Sequence, residues 1–211
     1  MKKISFLMIA LFSLMMAFTA CNSCKKETKQ DDTTKVVTGP LVLENVLSSD
    51  KEYMFMNYGE DYRWYESCIV LKDFLDDETC DGTVESVANV FQVLVEKEKG
   101  VDTQVVLTAH TPDTTAIEVK KGFWVEDFPM NDENIKVTFK EAFQKIQEVN
   151  SPKPHSRQVV LRKEVGPVAA NPQYIFGNVK AQLYVDAVTG DVTDKDPCFP
   201  KGFTMPLGEW P

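Results

Sequence analysis

The sequence predicts an α+β fold: an antiparallel β meander with one main helix packed on the sheet. Two observations carry the prediction. Between residues 52 and 128, runs of β-branched and aromatic residues recur with turn signals between them, as neighbouring antiparallel strands require. Past Thr138 the apolar spacing changes to that of a helix. Composition fits a globular chain: 211 residues, 43% hydrophobic and 26% charged, apolar enough to build a core. The net charge of −9 argues against a nucleic-acid partner, which calls for a basic face.

The chain opens on a basic Met1-Lys2-Lys3. Ile4 to Ala17 follow, apolar except for Ser5 and Ser13, then Phe18-Thr19-Ala20-Cys21. That is the three-part plan of a secretory signal peptide, and the run is short for a bilayer-spanning helix. Small residues before a cysteine resemble the lipobox of bacterial lipoproteins. The resemblance implies cleavage before Cys21 and acylation of Cys21, and Asn22 after it favours the outer membrane. Phe18 departs from the usual Leu of that box. Residues 21–36 are polar and charged, too poor in apolar surface to fold, and read as a flexible tether. Folded structure is expected to begin near Val37 to Leu43.

From Glu52 onward the pattern reads as strands. Trp64 to Phe74 and Val84 to Val95 flank Asp81-Gly82, a hairpin signal. Val84 to Glu98 also fits a helical face through Val84, Val87, Phe91 and Leu94; β-branched enrichment favours strand. Val101 to Ala109 follows Lys99-Gly100. Beyond Thr111-Pro112-Asp113, Ile117 and Val119 alternate with Glu118 and Lys120.

The main helix is predicted over Phe139 to Val149. Thr138 and Glu141 make a T-x-x-E capping box, in which each side chain satisfies a backbone N–H of the first turn. Ala142, Phe143, Ile146 and Val149 share one face, which must lie on a sheet. Asn150 and Pro152 end it. Arg157 to Lys163 and Tyr174 to Phe176 read as strands, with Gly177-Asn178 as a turn. Val179, Ala181, Leu183 and Val185 then alternate with polar positions, a half-buried strand.

Tyr184-Val185-Asp186-Ala187-Val188-Thr189-Gly190-Asp191-Val192, following a capped helix and a hairpin, resembles the closing strand and turn of PepSY and PepSY-like domains. The resemblance spans roughly residues 136–193. It implies a PepSY-like C-terminal part, a helix on an antiparallel sheet, and a binding or inhibitory role, as in protease propeptides and bacterial envelope proteins. The Pro-rich stretch Val165 to Gln173 departs from that pattern. The domain reading is therefore 1–20 signal peptide, 21–36 tether, 37–130 antiparallel β region, and 131–211 PepSY-like region with a Pro-rich tail. No internal repeat stands out between the two folded parts.

Catalytic signatures are sparse. No G-x-S-x-G, H-E-x-x-H, P-loop or G-x-G-x-x-G occurs. His155-Ser156 reads as a polar loop with no marked orienting acid, so no catalytic residue is assigned. His110 and His155 stand in no metal-ligand spacing, and neither a metal nor another cofactor is expected. The acidic clusters Asp76-Asp77-Glu78-Asp81 and Asp186, Asp191, Asp194, Asp196 do not fit an EF-hand loop and read as solvated turns. Cys24, Cys68, Cys80 and Cys198 allow three disulfide connectivities, and one structural disulfide is expected in an oxidising compartment.

Lys153, Arg157, Arg162 and Lys163 form a basic stretch without an acid. They are candidate partner-binding residues, or else guards of a sheet edge. Trp124 beside Phe123 suits a carbohydrate platform, though Trp64 and Trp124 fit a β core as well. The functional expectation is a non-catalytic envelope lipoprotein, membrane-bound through acyl chains on Cys21, that binds and inhibits or regulates another envelope protein. The alternative is a surface accessory lipoprotein holding a glycan or other small ligand.

Overall fold

In a computed structural model, residues 40–97 and 100–199 are described. The predicted signal peptide, Cys21, the tether with Cys24, and the tail from Pro200 lie outside the described residues.

Among the described residues, two helices and nine strands make up the fold. Helix α1 spans Leu43–Tyr58 and precedes strands β1 (Tyr62–Leu71), β2 (Val84–Lys97), β3 (Gly100–His110) and β4 (Thr115–Lys121). A two-residue strand β5 (Asp127–Phe128) and a 3-10 turn follow. Helix α2 (Phe139–Glu148) then precedes β6 (Gln158–Glu164), β7 (Gln173–Asn178), β8 (Ala181–Asp186) and β9 (Val192–Thr193). The α+β class, the antiparallel meander and the main helix are as expected, and Val84–Lys97 is strand rather than helix.

All strand pairs are antiparallel, in the order β4-β3-β2-β1-β6-β7-β8-β9, with β5 beside β6. The chain thus runs helix then four strands, twice. The first strands of the two units, β1 and β6, lie side by side at the centre, with Ile69 opposite Val159. Because β1 and β6 pair antiparallel, the two meanders run outward from this centre to opposite edges. The repeat is one of element order.

Helix α1 corrects the strand reading that began at Glu52. Leu43, Val46, Leu47, Asp50 and Met54 are its buried residues, at helical spacing. Three features hid it. Val42 provides no side-chain cap, Asp50 interrupts the apolar stripe, and Phe55 and Met56 lie exposed. Gly59, at φ 65°, ends the helix and donates its N–H to Phe55 O, a left-handed position suited to glycine.

Helix α2 carries the predicted capping box. Glu141 N–H donates to Thr138 Oγ1 at 3.2 Å, and Thr138 N–H to Glu141 Oε2 at 2.8 Å. A third N-terminal donor, Phe139 N–H, reaches Glu44 Oε1 of α1 at 2.7 Å. One helix thereby helps cap the other. Both helices bury their stripes in one core, with Trp64, Ile69, Phe91, Val106, Val159, Leu161, Phe176 and Val185 from the sheet. This is the inner face.

The β7–β8 turn falls at Val179-Lys180, two residues later than expected, since Gly177 and Asn178 pair with Gln182 and Ala181. Val179 is exposed at the tip. Gly190 has φ 78°, the turn conformation read from its position. Among the described residues, no helix is long and apolar enough to cross a membrane.

Candidate functional site

The outer face of the sheet carries what no single segment reveals. A bulge between Trp64 and Glu66 breaks the β1–β2 register. Beyond it, Met130 bridges to Trp64, while Asp127 and Phe128 pair with Glu164 and Lys163 of β6. The segment 127–130 therefore occupies the gap where β1 and β6 part. Such bulges re-aim side chains, and here they gather charges from three strands.

Arg162 is the centre. In the ladder it stands opposite Glu66, whose Oε2 lies 3.8 Å from Nη1. Asp127 Oδ1 lies 3.8 Å from its Nε, and Nη2 donates to Glu164 Oε1. Three carboxyl groups thus surround one guanidinium, with Glu66 and Asp127 buried. Burial pushes the Asp127 carboxyl up to about 7, with the nearby Glu66 charge adding to it and the Trp124 hydrogen bond and Arg162 opposing it. Burial also raises Glu66 and Glu164. The physical cause is shared: one cation cannot compensate three anions taken out of water.

Neighbouring groups complete the cluster. Cys68 Sγ–H donates to Glu66 Oε1 at 2.9 Å, and burial together with that carboxylate raises the thiol well above its ordinary value. Such a thiol is a poor nucleophile. Trp124 Nε1–H donates to Asp127 Oδ2 at 3.0 Å, and its backbone N–H to Gln92 Oε1 at 2.8 Å. Its ring packs on Val90, Val105 and Leu107, so Trp124 caps a small outer core. Glu164, Asp196 and Cys198 form a further group whose ligand atoms lie within 4.8 Å of one another. Asp196 Oδ1 already accepts the N–H groups of Cys198 and Phe199.

The four basic residues do not form one free patch. Lys153 Nζ donates to Val149 O at 2.7 Å, at the end of α2. Arg157 donates through Nε to Leu71 O at 2.7 Å and pairs with Glu85. Arg162 is enclosed as described. Lys163 stands over the Phe128 ring at 5.9 Å. The missed signal was largely distant in sequence: Glu66, Glu85 and Asp127 come from other strands, and Glu164 closes β6 just past the stretch.

A second polar network lies under α1. Asp50, buried, accepts from Asn89 Nδ2 at 2.7 Å, from Thr108 Oγ1, and from His110 Nε2 at 2.7 Å. His110 Nδ1 meets Thr115 Oγ1 at 3.1 Å, and Ser67 donates to Asn89 Oδ1. Each member has its partners, which makes the network a rigid pin between helix and sheet.

His155 has an acid after all. Its Nδ1 lies 2.9 Å from Asp76 Oδ1, and its ring stacks on Phe74 at 4.2 Å. Ser156 is buried, and its Oγ accepts the Gln158 N–H at 3.1 Å. The acidic loops act as turn caps: Asp81 accepts from Thr83 N–H, and Asp186 from Val188 and Thr189. Cys68, Cys80 and Cys198 are each unbridged, so the expected disulfide does not form among the three described cysteines.

No family model matches the chain, and no curated protein and no solved structure matches it.

Proposed function

We propose that the chain is a non-catalytic lipoprotein of the bacterial cell envelope, anchored through acyl chains on Cys21, that binds and regulates another envelope protein. One observation carries the binding part. Past the end of β6, three segments are joined by main-chain bonds: Val165 N–H to Glu126 O at 3.4 Å, and Val168 N–H to Cys198 O at 3.3 Å. Along them Val125, Phe128, Val165, Val168 and Phe199 stand exposed, with Phe123 just before. Exposed apolar side chains on three joined segments, next to a charged cluster, suit a protein partner.

The anchoring part rests on the lipobox-like Phe18-Thr19-Ala20-Cys21, and Asn22 favours the outer membrane. The PepSY-like closing strand supports the regulatory reading. The test is photo-crosslinking in the native envelope, with a photoreactive residue at Phe123, Phe128 or Val168 and, as control, at Val179. Protein adducts from the first three positions and none from Val179 are expected. Adducts equal at all four positions, or at none, would overturn the reading.

A further inference from the structure

Among the described residues the sheet has one long free edge, β4, at the end of the strand order. We propose that β4 pairs antiparallel with β4 of a second copy of this chain, centred on Val119, joining two sheets into one.

The backbone phase comes first. Thr111 N–H donates to Thr114 O at 2.9 Å, and Gly122 N–H to Thr103 O at 3.0 Å. With Glu118 opposite Leu107 and Lys120 opposite Val105, these bonds fix the alternation. Ala116, Glu118 and Lys120 turn their backbone groups towards β3. Thr115, Ile117, Val119 and Lys121 turn theirs to the open side. No main-chain partner meets those four among the described residues. A two-fold through Val119 sets Val119 against itself and Ile117 against Lys121, all residues whose backbone groups point outward. About six main-chain hydrogen bonds then form.

Side chains select the same register. Glu118 and Lys120 share the outer face, 3.1 Å apart. Centred on Val119, each Glu118 faces Lys120 of the second copy, making a square of alternating charge. Centring on Glu118 sets like charges opposite one another, which is destabilising. Centring on Ile117 faces Glu118 with Ala116 and gains no charge pair. Val119, 44% exposed on the inner face, meets its own copy. An edge guarded against pairing carries charge that repels a second edge; this one carries both signs in a self-complementary order. A contact of one strand per copy belongs to the small, transient class of interfaces, below about 1,200 Å².

The test is sedimentation equilibrium of the full chain in density-matched detergent, from about 1 μM to about 1 mM. The wild type should pass from monomer to dimer within that range. Glu118→Lys and Lys120→Glu should each weaken the dimer about tenfold, and the double swap should restore it. Val119→Pro removes an N–H that β3 does not use and should abolish the dimer while leaving the thermal transition of the monomer in place. A wild type that is monomeric throughout overturns the proposal. So does a dimer indifferent to the charge reversals, which needs no proline variant to read.

Discussion

The ring of Phe143 lies directly on Gly82: a Cβ at position 82 would stand 2.8 Å from Phe143 Cδ1. Gly82 also has φ 79°, a conformation that strains any side chain. One glycine in the β1–β2 loop therefore decides how closely α2 approaches the sheet. Gly82→Ala should destabilise the fold by about 1–3 kcal/mol, and Phe143→Ala by about 3–5 kcal/mol. In a urea series the double variant should cost less than the sum, since removing the ring removes the clash. Strict additivity would mean that the contact does not operate.

Cap and pin should differ in magnitude. Thr138→Ala removes one acceptor from an exposed helix end and should cost about 1 kcal/mol. Asp50→Ala leaves Asn89, Thr108 and His110 with buried donors unmet and should cost about 3 kcal/mol or more. Denaturant midpoints at one pH compare the two; a larger loss for Thr138→Ala would contradict the buried network.

Stability should fall as pH rises through the neutral range. Unfolded, Asp127 ionises near its ordinary 3.8; folded, at about 7. Between those values the native state holds a proton that the unfolded chain has released, so each rise in pH favours unfolding. Raised carboxyls at Glu66 and Glu164 act in the same direction. Asp127→Asn keeps the neutral shape and should flatten the curve between about pH 5 and about pH 8. Chemical denaturation across that span checks it, and a wild type growing more stable towards pH 8 would refute the assignment.

Cys21→Ser should leave the chain without acyl label, either uncleaved or released from the membrane, while Cys24→Ser keeps both label and membrane fractionation. Each buried CH₂ of an acyl chain contributes about 0.8 kcal/mol, so the lost chains are the anchor. Metabolic labelling with a fatty acid reads the result directly. Absence of label on the wild type would remove the anchoring proposal.

By itself the sequence determined the class of fold, because period 2 and period 3.6 are local properties. The T-x-x-E box located the start of α2, and the Thr189-Gly190 turn closed β8, for the same reason: both are satisfied within a few residues. Helix α1 was illegible because its stripe includes Asp50, an acid that makes sense only once Asn89, Thr108 and His110 arrive from β2 and β3. The basic residues were legible as a run, but their neighbours were not. Arg162 meets Glu66, Asp127 and Glu164 because a bulge in β1 admits β5 beside β6. Tertiary structure alone decided that Glu66 and Asp127 join Arg162, since the raised carboxyls come from burial and from like charges, such as Glu66 beside Asp127, that lie far apart in the chain.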